Sequence, residues 1–239
     1  MFHSPLRFRH PLRRESLIAA SSGHAKAALN AWILRNFSSS GNVTDRILYV
    51  YVFVHVKEET VLTDLYTPAY KPSGDEVAVL TTSKGTIRVQ LHGQDAPIHV
   101  GNFVELAEKG FYDGLKFHRF EPGFVIQGGC PNTRDMTPDD VAQGFRGPNG
   151  RPGTGGPGHC IKGEWNTNPH NEHNDGTLAM ARSSAPDSAG SQFYFCLGPQ
   201  PFLDSGYTVF GDTIEGLDVV HALRAGDVIE HIEIENKVA

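Results

Sequence analysis

An arginine and a glutamine stand among aromatic and aliphatic side chains in the stretch Phe117-His118-Arg119-Phe120-Glu121-Pro122-Gly123-Phe124-Val125-Ile126-Gln127-Gly128-Gly129. A guanidinium in such surroundings must keep its donors on solvent, a partner or a ligand, because burying it bare is very costly. It therefore offers a positive charge and several N–H donors to whatever occupies the neighbouring apolar space. The alternative is an arginine whose stem lies along apolar surface while its head stays in water. Other chemistry has less behind it. His159, Cys160, His170 and His173 are close together, and His170-Asn-Glu-His173 has a metal-like i, i+3 spacing. Pro169 and the surrounding Asn residues put that pair in a loop, so solvated histidines are expected rather than metal ligands. Gly153-Thr-Gly-Gly-Pro-Gly158 fits G-x-G-x-x-G, but no strand precedes it and Pro157 interrupts the helix start, which rejects dinucleotide binding. No nucleophile elbow and no paired-carboxylate motif stands out.

The elements that must position the central stretch are mostly strands. Pro122 presets φ and Gly123 accepts the positive φ of a type II turn, so the stretch itself reads as two short strands joined there. Val77 to Thr82 and Thr86 to Leu91 read as a hairpin with Gly85 in the turn. Pro97 suits a helix first turn, Val100, Phe103, Val104 and Ala107 form a stripe at helical spacing, and Gly110 ends it. Residues 130–158 form a long loop rich in Gly and Pro, within which 135–150 looks like an exposed insertion. Gly176 to Arg182 and Ser191 to Leu197 follow as strands; in the second, Gln192, Tyr194 and Cys196 share one face and Phe193, Phe195 and Leu197 the other. Phe202 to Tyr207 is a turn before the strand from Thr208, Glu215 to Arg224 is a second helix, and Val228 to Ile234 is a last alternating strand. About eight strands with two separated helices suggest a mainly β fold, a closed barrel with a helix at each end.

Composition bounds the rest. The 239 residues are enough for one large domain or two small ones, and the 26 glycines suit a fold with many turns. A net charge of -6 argues against a primary nucleic-acid role. The first sixty residues carry roughly four excess positives and the remainder roughly ten excess negatives. Three cysteines, Cys130, Cys160 and Cys196, without a CxxC, speak against a disulfide framework and for a reducing compartment. No apolar run reaches the eighteen residues of a membrane span, so no membrane association is expected. Residues 1–60 read as a poorly structured basic extension, 61–75 as a Pro- and Gly-containing linker, and 76–239 as the functional domain. A cytoplasmic protein is expected, or a mitochondrial one if the Arg- and Ser-rich start is a transit peptide.

The motif Phe-His-Arg-x-x-Pro-Gly-Phe-x-x-Gln-Gly-Gly closely resembles the signature of the cyclophilins, the peptidyl-prolyl cis–trans isomerases. The resemblance runs from about Ala78 to Ile234 through Asn102-Phe-Val, Gly153-Thr-Gly-Gly, Leu178-Ala-Met-Ala, Gly190-Ser-Gln-Phe, Phe202-Leu-Asp and Val209-Phe-Gly, in the family's order. It implies a closed eight-stranded antiparallel β-barrel capped by two α-helices, with a surface groove for an Xaa-Pro peptide, Arg119 as the catalytic cation and Phe124, Val125, Tyr194 and Leu203 walling a proline pocket. His118, Gln127, Ala181, Arg182, Gln192, Phe202 and Tyr207 would line the rest of the groove. Core packing is the alternative for the apolar members, and satisfaction of backbone groups for Gln127 and Gln192. Bond rotation breaks no covalent bond, so no nucleophile, metal or cofactor is required. The implied partners are proline-containing peptides and unfolded or partly folded proteins, met by a monomer that assists folding. This chain departs from the common pattern at Val125, Arg182, Tyr194, Phe202 and Tyr207; because Phe202 lacks the indole donor that many members offer cyclosporin, weak cyclosporin binding is expected. A proline-peptide binding module without catalysis is the runner-up, which a missing arginine in the central stretch would favour; Arg119 is present. A structural interaction protein using its basic N-terminus as a docking arm is the third reading.

Overall fold

The structure, a computed structural model, describes residues 65–236. They belong to the second of two units into which the chain divides, residues 62–239. The expectations for residues 1–60, extension, transit peptide or docking arm, lie outside the described residues. The strands are β1 (Val77–Thr82), β2 (Gly85–Leu91), β3 (Arg119–Glu121), β4 (Val125–Gly128), β5 (Thr177–Met180), β6 (Phe193–Cys196), β7 (Val209–Glu215) and β8 (Ile229–Glu235). The helices are α1 (Pro97–Glu108), α2 (Pro138–Ala142) and α3 (Leu217–Ala222), and single 3-10 turns cover Pro131–Thr133 and Pro201–Leu203. No described helix is long and apolar enough to cross a membrane.

All eight strands join one antiparallel sheet in the order β3-β4-β6-β5-β7-β2-β1-β8. The closed barrel expected from the sequence is not reached: β3 and β8 are edges, and the curled sheet stays open between them. The reason is local. β3 has only three residues, and the backbone just before it makes its bonds to the turn before β8 as an irregular patch. Phe117 N–H donates to Asp227 O (2.9 Å), Ile229 N–H donates to Leu115 O (2.8 Å), and Lys116 and Val228 form an isolated bridge. A ladder between β3 and β8 themselves is absent among the described residues.

Alternation along the strands sends side chains to two apolar clusters. The larger lies between the sheet and the helices and contains Phe103, Phe117, Phe193, Phe195 and Phe210, all fully buried. Each such ring contributes ~1.5–3 kcal/mol by leaving water, and their edge-to-face contacts add to that. The smaller cluster, on the other sheet face, contains Val125, Ala179, Tyr194, Cys196, Leu203 and Val209. Phe193 and Phe195 thus part from Tyr194 and Cys196 as the period of two requires.

Helix α1 starts at Pro97, but its N-cap, Ala96, has no capping side chain. A carboxylate from a distant loop does the work: Glu164 accepts from Ile98 N–H and His99 N–H at 3.0 Å each, and from His99 Nδ1 at 2.6 Å. Negative charge is favoured at a helix N-terminus, where backbone donors lack intrahelical partners. Residues 65–75 have no regular structure, yet they are fastened rather than free as a linker would be. Glu105 accepts from Tyr66 OH, Ala69 N–H (2.7 Å) and Tyr70 N–H (2.9 Å). Glu76 accepts from Ser73 N–H, Gly74 N–H and Tyr70 OH. The insertion is not purely loop either. Thr137 caps α2 by accepting from Asp140 N–H, and Val141 within the helix and Met136 just before it are buried.

Candidate active site

The hairpin at the centre of the sequence forms as its residues dictate. Phe124 N–H donates to Glu121 O (3.0 Å) across the Pro122-Gly123 turn, and Gly123 has φ +67°. Gly129 ends β4 with φ +80°, and a Cβ there would lie 2.3 Å from Ser191 O, so only glycine fits. Register then sets the site. Arg119 pairs with Gln127, Gln127 with Tyr194, and Tyr194 with Ala179, which makes one row across β3, β4, β6 and β5. Val125 opposite Cys196 begins the next row.

These rows floor a cavity of about 120 Å³ lined by Arg119, Phe124, Val125, Gln127, Ala181, Arg182, Tyr194, Leu203 and Tyr207. Nine of the twelve residues singled out from the sequence are therefore brought together. Phe202 stands at the rim, 67 % exposed and stacked on Phe124 at 5.7 Å between ring centroids. Gln192 lies beside the cavity: its amide accepts from Gln127 Nε2 (3.0 Å) and donates to Gly153 O and Gly155 O (2.9 and 2.7 Å). The backbone-satisfying role considered for Gln192 is thus one it performs. His118 packs behind, against Gly153, with both ring nitrogens buried. Burial, opposed by the neighbouring Gln192 side chain and aided by the Arg119 charge, pushes its imidazole down to about 4, so it is neutral at physiological pH.

Arg119 is the cation left available. Its side chain is 46 % exposed, its guanidinium carbon lies 5.5 Å from the Phe124 ring centroid, and its nearest carboxylate contact is Glu121 at 3.7 Å. Arg182 is held differently. Its Nε donates to Gly206 O (2.7 Å), its Nη1 to Ser183 O (2.9 Å), and its guanidinium sits over the rings of Tyr207 (4.5 Å) and Trp165 (5.4 Å).

Tyr194 brings a hydroxyl into an apolar wall, and His173 accounts for it. His173 Nε2 lies 3.0 Å from Tyr194 OH, and its Nδ1 lies 2.7 Å from Asp204 Oδ1. Burial lowers the His173 pKa and raises that of Tyr194, so both are neutral; Nδ1–H donates to Asp204 and the phenol donates to Nε2. The expectation of solvated histidines fails for His173, which is buried. His170 instead pairs with Asp95 (2.9 Å), and His159 with Asn102 (2.8 Å), so the three histidines have separate partners. Sequence reasoning read His173 only as a solvated histidine and missed Asp204 and Trp165, since each acts through a residue far away in the chain. All three cysteines are free thiols.

The family model for cyclophilin type peptidyl-prolyl cis-trans isomerase/CLD matches residues 77–238. A peptidyl-prolyl cis-trans isomerase of Synechococcus elongatus is 46 % identical over 164 residues, covering 68 % of this chain and 98 % of that protein. Peptidyl-prolyl cis-trans isomerase B of Bacillus subtilis is 42 % identical over 149 residues, 62 % of this chain and 90 % of that one. Among solved structures, a Cryptosporidium parvum cyclophilin type peptidyl-prolyl cis-trans isomerase, crystallised in the presence of the dipeptide Ala-Pro, superposes with a TM-score of 0.55 at 25 % identity, covering 67 % of this chain and 99 % of that chain. An eight-stranded curled sheet with an arginine beside an apolar pocket, together with these matches, places the chain in the family of cyclophilin-type peptidyl-prolyl cis–trans isomerases.

Proposed function

We propose that the 120 Å³ cavity seats the prolyl ring of an Xaa-Pro peptide and that Arg119 is the catalytic group. The observation that carries this reading is a half-exposed guanidinium at the rim of an apolar pocket, with no carboxylate closer than 3.7 Å. Rotation about the Xaa-Pro bond faces a barrier of ~18–20 kcal/mol because resonance gives the C–N bond double-bond character. As the amide twists, the lone pair localises on the prolyl nitrogen, and a donor beside that nitrogen stabilises the twisted state more than the planar one. Phe124, Val125, Leu203 and Tyr194 hold the ring by burying it, so that the acyl side is the part that turns. The Asp204–His173–Tyr194 chain fixes the back wall. His118, neutral and buried, packs behind the wall and takes no proton. Substrates on this reading are proline-containing peptides and partly folded proteins, and the activity assists folding.

Titration with a short Ala-Pro peptide, followed by amide chemical shifts, tests the placement. Shifts are expected at Gln127, Ala181 and Tyr194 and not along the β1–β2 hairpin. Shifts confined to the hairpin or to α3 would overturn it.

A further inference from the structure

Tyr194 lines the 120 Å³ cavity, but His173 and Asp204 do not. The Tyr194 hydroxyl, bonded to His173, is thus drawn out behind the floor of the pocket, and the cavity meets the ring. His173 is held for this at every one of its polar atoms. Its backbone N–H and its Nδ1–H both donate to Asp204 Oδ1 (2.9 and 2.7 Å). Its carbonyl accepts from Gln200 N–H (2.7 Å), and its Nε2 accepts from Tyr194 OH (3.0 Å). A carboxylate only accepts, so Asp204 fixes the ring proton on Nδ1 and leaves Nε2 bare for the phenol. The imidazole and phenol planes cross at only 14°, and the His173 side chain is fully buried. Two residues earlier, Asn171 Nδ2 donates to Asp204 O (2.6 Å) and Tyr207 O (2.9 Å). Residues 171–173 therefore brace the pocket from behind, tying the turn that carries Leu203 and Tyr207 to the floor at Tyr194. None of the three lines the cavity.

A buried hydroxyl that loses its partner bears its whole desolvation cost, whereas deleting both partners of a bond leaves little behind. The open volume that Tyr194 borders is the cavity itself, so a phenol released by His173 turns toward the space the prolyl ring would fill. A phenylalanine at this position would have no hydroxyl to place. We infer that His173, oriented by Asp204, is a positioning residue for isomerisation: it holds the Tyr194 hydroxyl outside the proline pocket, keeps that pocket apolar and open, and matters to substrate binding only because residue 194 is a tyrosine. The inference rests on the reading that this cavity takes the prolyl ring.

The test is a double-mutant cycle on the full chain, which isolates the coupling between two residues from their separate effects. His173→Leu is made in the native protein and in Tyr194→Phe, and kcat, KM and the Kd of an Ala-Pro peptide are measured for each. With tyrosine at 194, His173→Leu should raise KM and Kd about tenfold, the scale of one stranded hydroxyl, with kcat little changed. With phenylalanine at 194, the same substitution should move KM and Kd less than about twofold, because both partners of the bond are then gone. His173→Gln, which keeps an acceptor for the phenol, should recover most of the loss. Asp204→Ala, at a side chain 34 % exposed, carries the same comparison if His173→Leu does not fold. In the native protein the imidazole nitrogen chemical shifts of His173 should show Nδ1 protonated and Nε2 bare. An equal rise in KM with and without the Tyr194 hydroxyl, a lowered melting temperature with KM and Kd unmoved, or a proton on Nε2 overturns the inference. Coupling in Kd with no acceleration of any peptide would support His173 and refute the isomerase assignment of Arg119; rapid isomerisation with no coupling would do the reverse.

Discussion

At the scale of single residues, the site sets a loosely held, half-exposed cation beside neighbours that are fixed in place. Arg119 is half-exposed beside apolar walls with only Glu121 near it, at 3.7 Å, while Arg182 is pinned by two carbonyls and two rings and Gln192, Tyr194 and His173 bond to named partners. Phe202 has no N–H to offer at the rim, so cyclosporin should bind weakly although isomerisation persists. Titration of the wild type should give no nanomolar complex, and Phe202→Trp should tighten binding by roughly tenfold, about one neutral hydrogen bond. An unchanged affinity in that variant would place the deficit elsewhere. His118 gives a prediction in pH. Its folded-state pKa of about 4 lies below the ordinary value of 6.5, so the unfolded chain binds the extra proton between these values. Stability should therefore fall as pH drops from about 6.5 to about 4, and His118→Phe should flatten that part of the profile. The same neutrality predicts no activity step from His118 between pH 5 and 8.

At the scale of elements, much of the site was legible because strand periodicity is local. The Pro122-Gly123 turn, the opposition of Arg119 and Gln127, and the parting of Tyr194 from Phe193 all follow from residues adjacent in sequence. What was not legible depends on partners brought together by folding. Ala96 is a poor cap, and nothing near it announces that Glu164 will complete the start of α1. Glu105 and Glu76 turn an expected linker into a strap in the same way. The α2 helix is a different kind of miss: Thr137-Pro-Asp-Asp140 is a visible N-terminal signal, outweighed by the surrounding glycines. Glu164→Ala should cost about 3 kcal/mol, because it uncaps α1 and strands the buried His99, and Glu164→Gln should cost less. Urea unfolding measures both; equal, sub-kcal losses would mean that the helix finds another cap.

At the scale of the whole molecule, the open edge between β3 and β8 and the strap at 65–75 show where the domain depends on irregular chain. Burial raises the carboxylate pKa values of Glu105 and Glu76, but the hydrogen bonds from Tyr66, Ala69, Tyr70, Ser73 and Gly74 outweigh it and leave both lowered. Groups depressed in the folded state stabilise it above their unfolded pKa, near 4.5, and that contribution disappears as pH falls through the folded values. A chain beginning at residue 62 should fold and keep isomerase activity, whereas one beginning at residue 75 should melt several degrees lower, with the deficit shrinking below pH 4. Identical melting of the two chains at pH 7 would show that the strap contributes nothing.

The central claim is that the half-exposed guanidinium at position 119 stabilises the twisted amide. The most direct measurement is the rate of cis-to-trans conversion of a short Xaa-Pro peptide with the wild type, Arg119→Ala and Arg119→Lys. The uncatalysed process takes tens to hundreds of seconds, so acceleration is easily read. The account predicts rapid conversion by the wild type, a loss of roughly 10²–10³-fold in kcat/KM for Arg119→Ala, and partial retention in Arg119→Lys, with peptide binding little changed. Wild-type rates in Arg119→Ala, or no acceleration by the wild type on several peptides it binds, would contradict it.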